Sequence, residues 1–187
     1  TNRSVWRPWH IFRTELGCQE GTNRDKMLKN HEFEKRISMD MFSLDGKNAV
    51  VVGGAGGLGQ AIAQGLAEAG AQVAIASRRE ESLRRAAAEI KEACDKRVSW
   101  YTVDATDEES VKSLVDAVIR NMGQVDILVN AQGLNKKFPA QDFDMDVFQQ
   151  MLSVNVAGVM MCCKHFGKQM IERGYGKIIN VSSVRGK

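Results

Sequence analysis

Residues 51–59 read VVGGAGGLG, and this stretch decides how the sequence folds. It joins the apolar run Ala49–Val52 to the helical pattern AIAQGLAEAG of residues 61–70. Two overlapping glycine spacings run through it: Gly54-x-Gly56-x-x-Gly59 and Gly53-x-x-x-Gly57-x-Gly59. Glycines permit a tight turn, let the backbone approach another molecule closely and let the next helix pack on the strand. The stretch therefore predicts a strand, a glycine turn and a helix in direct succession.

Apolar runs rich in β-branched residues alternate with helical patterns from Asn48 onward. The runs, each short enough for a buried parallel strand, are Ala49–Val52, Val73–Ala76, Val98–Val103, Ile127–Val129 and Ile178–Val181. The helical patterns cover Leu58–Ala69, Glu80–Cys94, Glu108–Met122 and a long stretch from about Asp146 to Arg173. Strands and helices that alternate through right-handed connections form an open parallel sheet with helices on both faces. We therefore predict an α/β fold, a Rossmann-type doubly wound parallel sheet of about five strands.

A glycine turn between the first strand and the first helix of such a sheet is typical of a dinucleotide site. The free N–H groups and the positive dipole end of the helix face the pyrophosphate there. We predict that this turn binds a dinucleotide through Gly53, Gly56, Gly57, Leu58 and Gly59. The alternative is a tight turn that has no ligand.

The end of the second strand indicates which dinucleotide is bound. A carboxylate at this position would bind the ribose 2′-hydroxyl of NAD. The sequence instead reads VAIASRRE, with Ser77 at the place of the acid and Arg78 and Arg79 after it. A guanidinium grips a 2′-phosphate through two charge-assisted hydrogen bonds, so we predict NADP rather than NAD, bound by Ser77 and Arg78. The alternative is that both arginines only begin a solvated helix.

Composition limits the classes of partner. The chain has 187 residues, of which 43% are hydrophobic and 26% charged, as in an ordinary globular domain. A net charge of +3 is too small to favour nucleic acid or a membrane as the main partner, and no apolar run is long enough to span a bilayer. The four cysteines lack metal-ligand spacing, so we predict no metal and reduced thiols in a cytoplasmic protein.

Residues 1–40 differ in character from the rest of the chain. They hold two of the three tryptophans and two of the three histidines, and they show no sustained hydrophobic period. Arginines that precede the first acid give a faint likeness to a transit peptide. We favour an irregular N-terminal extension, or translated upstream sequence, ahead of an NAD(P)-binding domain that covers residues 41–187.

Several motifs after Met41 together resemble the short-chain dehydrogenase/reductase family. The Gly53-x-x-x-Gly57-x-Gly59 turn is similar to the cofactor turn of that family, although Val52 stands where a threonine is usual. Further matches are Asp104-Ala105 after the third strand, Asn130-Ala131-Gln132-Gly133 after the fourth, Asn155 within SVNVAG, and Ser183. Ala131 replaces the second asparagine of the family's Asn-Asn-Ala-Gly motif.

The resemblance implies reversible hydride transfer between a nicotinamide and a small-molecule substrate. It implies that Asp104 and Ala105 contact the adenine ring, and that Asn130, Ala131 and Gly133 line the cofactor site. It also implies that Asn155 holds a proton-relay water at a helix kink and that Ser183 bonds the reacting oxygen. A homo-oligomer, dimer or tetramer, is the usual assembly of the family.

The resemblance further implies a tyrosine, followed four residues later by a lysine, as the acid–base pair. Positions four residues after Tyr101 and Tyr175 are Ala105 and Ile179, so the chain holds no Tyr-x-x-x-Lys. We expect the chain to be truncated before this pair, and we expect the fragment to be inactive with weak NADP binding. A protein without the pair would be a non-catalytic dinucleotide-binding module, which is the alternative function.

The segment LNKKFPA, residues 134–140, is expected to overhang the nicotinamide end of the site. Lys136 and Lys137 would attract an anionic substrate there, and the segment resembles sugar-acid and polyol members of the family. We therefore expect a small polar substrate, a sugar acid or a polyol. The alternative is a solvated charged loop. A third reading keeps the fold but changes the chemistry to epimerisation or dehydration.

Overall fold

The computed structural model describes residues 42–183, and within them five parallel strands alternate with helices. The strands are β1 (Asn48–Val52), β2 (Gln72–Ser77), β3 (Ser99–Thr102), β4 (Ile127–Asn130) and β5 (Lys177–Asn180). The helices are α1 (Gly57–Glu68), α2 (Glu80–Cys94), α3 (Glu108–Met122), α4 (Met145–Leu152) and α5 (Gly158–Arg173). The predicted extension of residues 1–40 lies outside the described residues.

The sheet has the order β3-β2-β1-β4-β5, and all neighbouring strands are parallel. The chain first builds outward from β1 to β3 and then crosses to β4 on the other side of β1. Ligands of such sheets bind in the crevice at the carboxyl ends of the strands where the order reverses. The predicted Rossmann-type sheet is confirmed, and the reversal lies between β1 and β4.

Strand β1 is buried along its whole length because helices cover both faces of the sheet. Val50, Val52 and Leu128 pack on one face, together with apolar residues of α3 and α5. Ala49 and Val51 pack on the other face with residues of α1 and α2. This explains why β1 reads as an unbroken apolar run rather than as an alternating one.

The predicted long helix is interrupted. Ser153–Ala157 forms a π-helical turn between α4 and α5, and a short 3₁₀ turn, Ala140–Asp142, precedes α4. A π turn inserts extra backbone into a helix and is frequent at functional sites. The apolar period alone could not show this interruption because the flanking turns keep helical geometry. No helix among residues 42–183 is long and apolar enough to cross a membrane.

A buried carboxylate joins three elements at the amino ends of the strands. Asp126, only 1% exposed, accepts hydrogen bonds from the backbone N–H of Asn48 and from Arg173, both at 2.9 Å. Arg173 also donates to the carbonyl of Val125, and the Asn48 side chain donates to the carbonyls of Met122 and Gln124. The start of β1, the start of β4 and the end of α5 are therefore held together at the edge opposite the crevice.

Burial alone would raise the pKa of Asp126, but the hydrogen bonds from Asn48, Arg173 and Gln124 outweigh it, so the pKa lies below its ordinary value. A carboxyl group with a lowered folded-state pKa stabilises the protein above its unfolded-state pKa. That stabilisation is lost as the pH falls through the folded-state value. The contribution of Asp126 is therefore complete at neutral pH and declines in acid, below about pH 4.

We predict that Asp126→Asn lowers the free energy of unfolding by about 3 kcal/mol at pH 7, because it leaves Arg173 without its buried partner. The loss should shrink as the pH falls below about 4, where the wild-type carboxylate is itself protonated. Urea denaturation at a series of pH values measures both effects. Asp116→Asn, which changes an exposed carboxylate on α3, is the control. Equal losses in the two variants would contradict the prediction.

Candidate functional site

The glycine turn contains two kinds of glycine. Gly53 has φ +84°, and a Cβ atom there would lie 2.5 Å from the backbone nitrogen of Gln132. A Cβ at Gly59 would collide with the carbonyl oxygen of Gly53. A Cβ at Gly56 would approach the protein only to 3.5 Å, and a Cβ at Gly57 would meet nothing within 4 Å. Gly53 and Gly59 are therefore required by the fold, whereas Gly56 and Gly57 leave open space beside the turn.

The amino terminus of α1 is available to an anion. Gly56 is the N-cap residue and offers no side-chain hydrogen bond, and the first turn carries no acidic residue. The first N–H groups of a helix have no partner inside the helix, and the helix dipole is positive at this end. Open space, free N–H groups and a positive dipole together fit a pyrophosphate.

A first cleft follows the carboxyl ends of β1, β2, β3 and β4. From the predicted site it gathers Gly53, Gly56, Ser77, Arg78, Asp104, Ala105, Ala131 and Gly133. Its lining also includes residues that the sequence analysis did not assign: Val52, Ala55, Arg79, Ser82, Val103, Thr106, Gln132 and Val154. The sequence could have indicated Arg79 and Thr106, because each directly follows a predicted cofactor residue. The sequence could not indicate Val154 and Ser82, because they reach the cleft only through the way the helices pack.

Four predicted cofactor residues do not line this cleft. Gly57 and Leu58 lie in the first turn of α1, and Leu58 is 62% exposed. Gly59 is buried against the turn. Asn130 is 1% exposed at the end of β4, where its amide Nδ2 donates to Oδ1 of Asn180 at 2.8 Å. Asn130 therefore ties β4 to β5 below the cleft.

Asp104 is held in a fixed orientation at the end of β3. Its Oδ1 accepts hydrogen bonds from the hydroxyl of Thr106 at 2.7 Å and from the backbone N–H of Thr106 at 2.9 Å. These two bonds lower the pKa of Asp104, and the positive charge of Arg78 contributes to the same effect. Asp104 is thus an ionised acceptor between Arg78 and the loop that leads into α3.

A second cleft lies beside the first and holds the predicted catalytic residues. Asn155 and Ser183 both line it, as does Ser182. Its remaining lining is Ala131, Gln132, Gly133, Leu134, Asn135, Met151, Val156, Val159 and Val181. The residues Ala131–Gly133 line both clefts, so the loop after β4 is their common wall. Both serines reach the same cleft, and the choice of Ser183 over Ser182 stays a prediction.

The side chain of Asn155 makes two hydrogen bonds to one residue of the loop after β4. Its Oδ1 accepts from the backbone N–H of Leu134 and its Nδ2 donates to the carbonyl of Leu134, both at 2.8 Å. Asn155 lies in the π-helical turn, as the predicted helix kink requires. This pair of bonds fixes the loop after β4 against the turn and so sets the width of the second cleft.

Gln132 and Asn130 each bury a side-chain oxygen that has no hydrogen-bond partner among the described residues. The amide of Gln132 lies 3.9 Å from the sulfur of Cys162, and the amide of Asn130 lies 3.4 Å from the sulfur of Cys163. Burial raises the pKa of the Cys162 thiol to about 12. Cys162 is therefore a protonated core residue. No group of three His, Cys, Asp or Glu side chains able to hold a metal occurs within residues 42–183.

Comparison with known proteins agrees with this geometry. The family model described as short chain dehydrogenase matches residues 47–187. These residues include the glycine turn, both clefts and the serine pair. The chain belongs to the short-chain dehydrogenase family.

Individual relatives extend the comparison. Gluconate 5-dehydrogenase of Gluconobacter oxydans (strain 621H) is 37% identical over 148 residues, which are 79% of this chain and 57% of that protein. The crystal structure of an NAD⁺-bound xylitol dehydrogenase is 37% identical, with a TM-score of 0.73 over 76% of this chain and 55% of that one. An actinorhodin polyketide ketoreductase with NADPH is 32% identical, with a TM-score of 0.72 over 75% and 54%. The chain spans little more than half the length of each of these proteins.

We predict that Gly53→Ala lowers the free energy of unfolding by about 3 kcal/mol. The added methyl group would require a strained positive φ and would press on the backbone at Gln132. Gly57→Ala should leave stability within about 0.5 kcal/mol of wild type, since its methyl group enters open space. Urea denaturation followed by circular dichroism measures both variants. If Gly53→Ala were as stable as Gly57→Ala, the close approach of β1 to the β4 loop would be refuted.

Proposed function

We propose that the whole protein is an NADP-dependent oxidoreductase that interconverts an alcohol and a carbonyl group on a small polar substrate. One observation carries this proposal. The two clefts share the wall Ala131–Gly133, with Arg78 at the far end of the first and Ser183 with Asn155 in the second. An extended dinucleotide laid along the first cleft would bring its reactive ring to the cleft that holds the serines.

The residues of the first cleft fit the adenosine half of NADP. Arg78 and Arg79 line the cleft beside Ser77, and no carboxylate ends β2. Two guanidinium groups and a small hydroxyl suit a phosphate better than a ribose hydroxyl pair. The open glycines Gly56 and Gly57 at the start of α1 would hold the pyrophosphate. Asp104 and Ala105 would contact the adenine.

The cofactor, when bound, would supply or accept the hydride. Ser183 would donate a hydrogen bond from its hydroxyl to the reacting oxygen and stabilise the negative charge that develops there. The amide of Asn155 has a second N–H and a second oxygen lone pair beyond its two bonds to Leu134, and these would hold the relay water. Neither Tyr101 nor Tyr175 lines the second cleft, so neither is proposed as the acid–base group.

A sugar acid or a polyol is the proposed substrate class. Gluconate 5-dehydrogenase and xylitol dehydrogenase are named for substrates of this kind. Asn155 holds the loop of Lys136 and Lys137 at Leu134, and edge-to-face contacts of Phe143 with Phe138 and Phe148 hold its other end. Both lysines are exposed, and they directly follow Asn135, which lines the second cleft. They would attract a carboxylate.

We also propose that the whole protein forms a homo-oligomer, a dimer or tetramer, in the cytoplasm. An apolar stripe supports the assembly. Met145, Phe148, Leu152, Val156 and Met160 recur at helical spacing along α4, the π turn and α5, and each is at least 39% exposed. The stripe has aspartates at its amino end and lysines at its carboxyl end, so two copies in antiparallel contact would match opposite charges.

We predict that NADPH binds the whole protein at least tenfold more tightly than NADH and that Arg78→Ala removes most of this preference. In the wild type the guanidinium of Arg78 would pair with the 2′-phosphate, which NADH lacks. Isothermal titration calorimetry gives the dissociation constants of NADPH and NADH for wild type and for Arg78→Ala. Arg85→Ala, which changes an exposed arginine farther along α2, is the control. If NADH binds equally well, or if Arg78→Ala leaves the ratio unchanged, the NADP assignment is wrong.

We predict that Ser183→Ala in the whole protein lowers kcat at least a hundredfold while the dissociation constant of NADPH stays within twofold. A hydrogen bond that strengthens on the developing oxyanion contributes mainly to the transition state. Steady-state kinetics on gluconate and xylitol, with their keto forms, measures the change. Ser182→Ala should lower kcat much less than Ser183→Ala. The reverse order of effects would exchange the proposed roles of the two serines. Tight NADPH binding without turnover on any carbonyl or alcohol would favour the dinucleotide-binding module.

A further inference from the structure

The loop Asp104–Asp107 lines the first cleft and is folded onto the start of α3. Asp104 accepts two hydrogen bonds from Thr106, and the backbone N–H of Asp104 donates to the hydroxyl of Ser110 at 3.0 Å. Asp107 caps α3 by accepting from the N–H of Glu109. The loop and the first turn of α3 are therefore one hydrogen-bonded unit, and a shift of that turn would shift the cleft wall.

Two contacts join this unit to α5. A Cβ atom at Gly158 would lie 2.9 Å from the carbonyl oxygen of Ala105, so α5 begins directly against the loop. Glu108, the first residue of α3, reaches α5 through one carboxylate oxygen. That oxygen lies 2.8 Å from Nζ of Lys164 and 2.8 Å from Nε2 of His165. Because α5 follows the π turn that contains Asn155, these contacts fix the position of the first cleft relative to the second.

Two donors of α5 share the carboxylate of Glu108. The hydrogen bonds from Lys164 and then from His165 lower the pKa of Glu108 to about 2, so the carboxylate is ionised at neutral pH. Lys112 also faces Glu108, but its own partner is Glu109 on the same helix. Of the two donors His165 is the less exposed, with 15% of its side chain accessible against 59% for Lys164. Its contact with Glu108 is therefore the better shielded from solvent.

We propose that Glu108 and His165 are positioning residues of the cofactor cleft, whose contact holds the loop Asp104–Asp107 in its binding position. The inference rests on the proposed function, because it needs the first cleft to bind the cofactor. A hydrogen bond to an ionised carboxylate is charge-assisted and therefore stronger than one between neutral groups. Loss of either partner should consequently weaken the binding of NADP⁺.

The test measures the dissociation constant of NADP⁺ at pH 7 by calorimetry on the whole protein. His165→Ala removes the donor and should bind NADP⁺ about threefold more weakly, within the range of an exposed ion pair. His165→Gln keeps a donor and should bind nearly as tightly as wild type. Glu108→Gln should weaken binding at least as much as His165→Ala. Glu109→Gln, whose carboxylate pairs with Lys112, should behave as wild type.

The outcomes separate this inference from the function on which it rests. If wild type binds NADP⁺ and His165→Ala binds it equally well, or if His165→Gln does not restore the affinity that His165→Ala loses, the positioning role is overturned while the cofactor cleft stands. If wild type does not bind NADP⁺, the cofactor assignment fails and the positioning role fails with it. If Glu108→Gln does not fold, as shown by its melting curve, the comparison of His165→Ala and His165→Gln with Glu109→Gln decides alone.

Discussion

The close approach of Gly53 to the backbone of Ala131 and Gln132 is the constraint on which the candidate site depends. It places the glycine turn of β1 directly against the loop that follows β4. Any side chain at Gly53 would separate the two, and the common wall of the two clefts would move away from the turn. Arg78 and Asn155 lie in two adjoining clefts because this contact is so short.

The two edges of the sheet differ in how their polar groups are used. At the amino edge, the buried Asp126 gathers Asn48 and Arg173 into a network that holds strands and helix together. At the carboxyl edge, polar side chains line the clefts, and the buried side-chain oxygen of Gln132 has no partner among the described residues. Rigidity at one edge lets the other edge carry unpaired polar groups, since a partly satisfied site would otherwise reduce the order of the fold.

The sequence predicted the strands and most helices because their signals are local. β1 and β4 are short runs of β-branched residues, and α2 and α3 begin and end as their apolar period indicates. Asn155 was identified by its resemblance to the family motif, but its engagement with Leu134 was not foreseeable. That bond depends on a π turn, which leaves no trace in the apolar period.

Contacts distant in sequence account for what the sequence could not predict. Glu108 and His165 are 57 residues apart, and neither is unusual in its own helix. Their meeting follows from the way α3 and α5 pack on the same face of the sheet. Val154 likewise reaches the first cleft only because α5 begins against Ala105. A single sequence does not indicate such distant contacts, whereas the glycine turn is encoded by consecutive residues and can be predicted from them.

The order of the strands also bears on how the chain reaches its folded state. β2 follows β1 after a single helix, but β4 follows only after three helices and two further strands, and Asn48 and Asp126 are 78 residues apart. Closing a longer loop costs more entropy, and pairings between distant segments form slowly. The β1–β2–β3 half can therefore form before β4 arrives. During synthesis the glycine turn would emerge early, the first cleft would form once the loop after β4 reaches it, and the second would form only after β5 has joined the sheet.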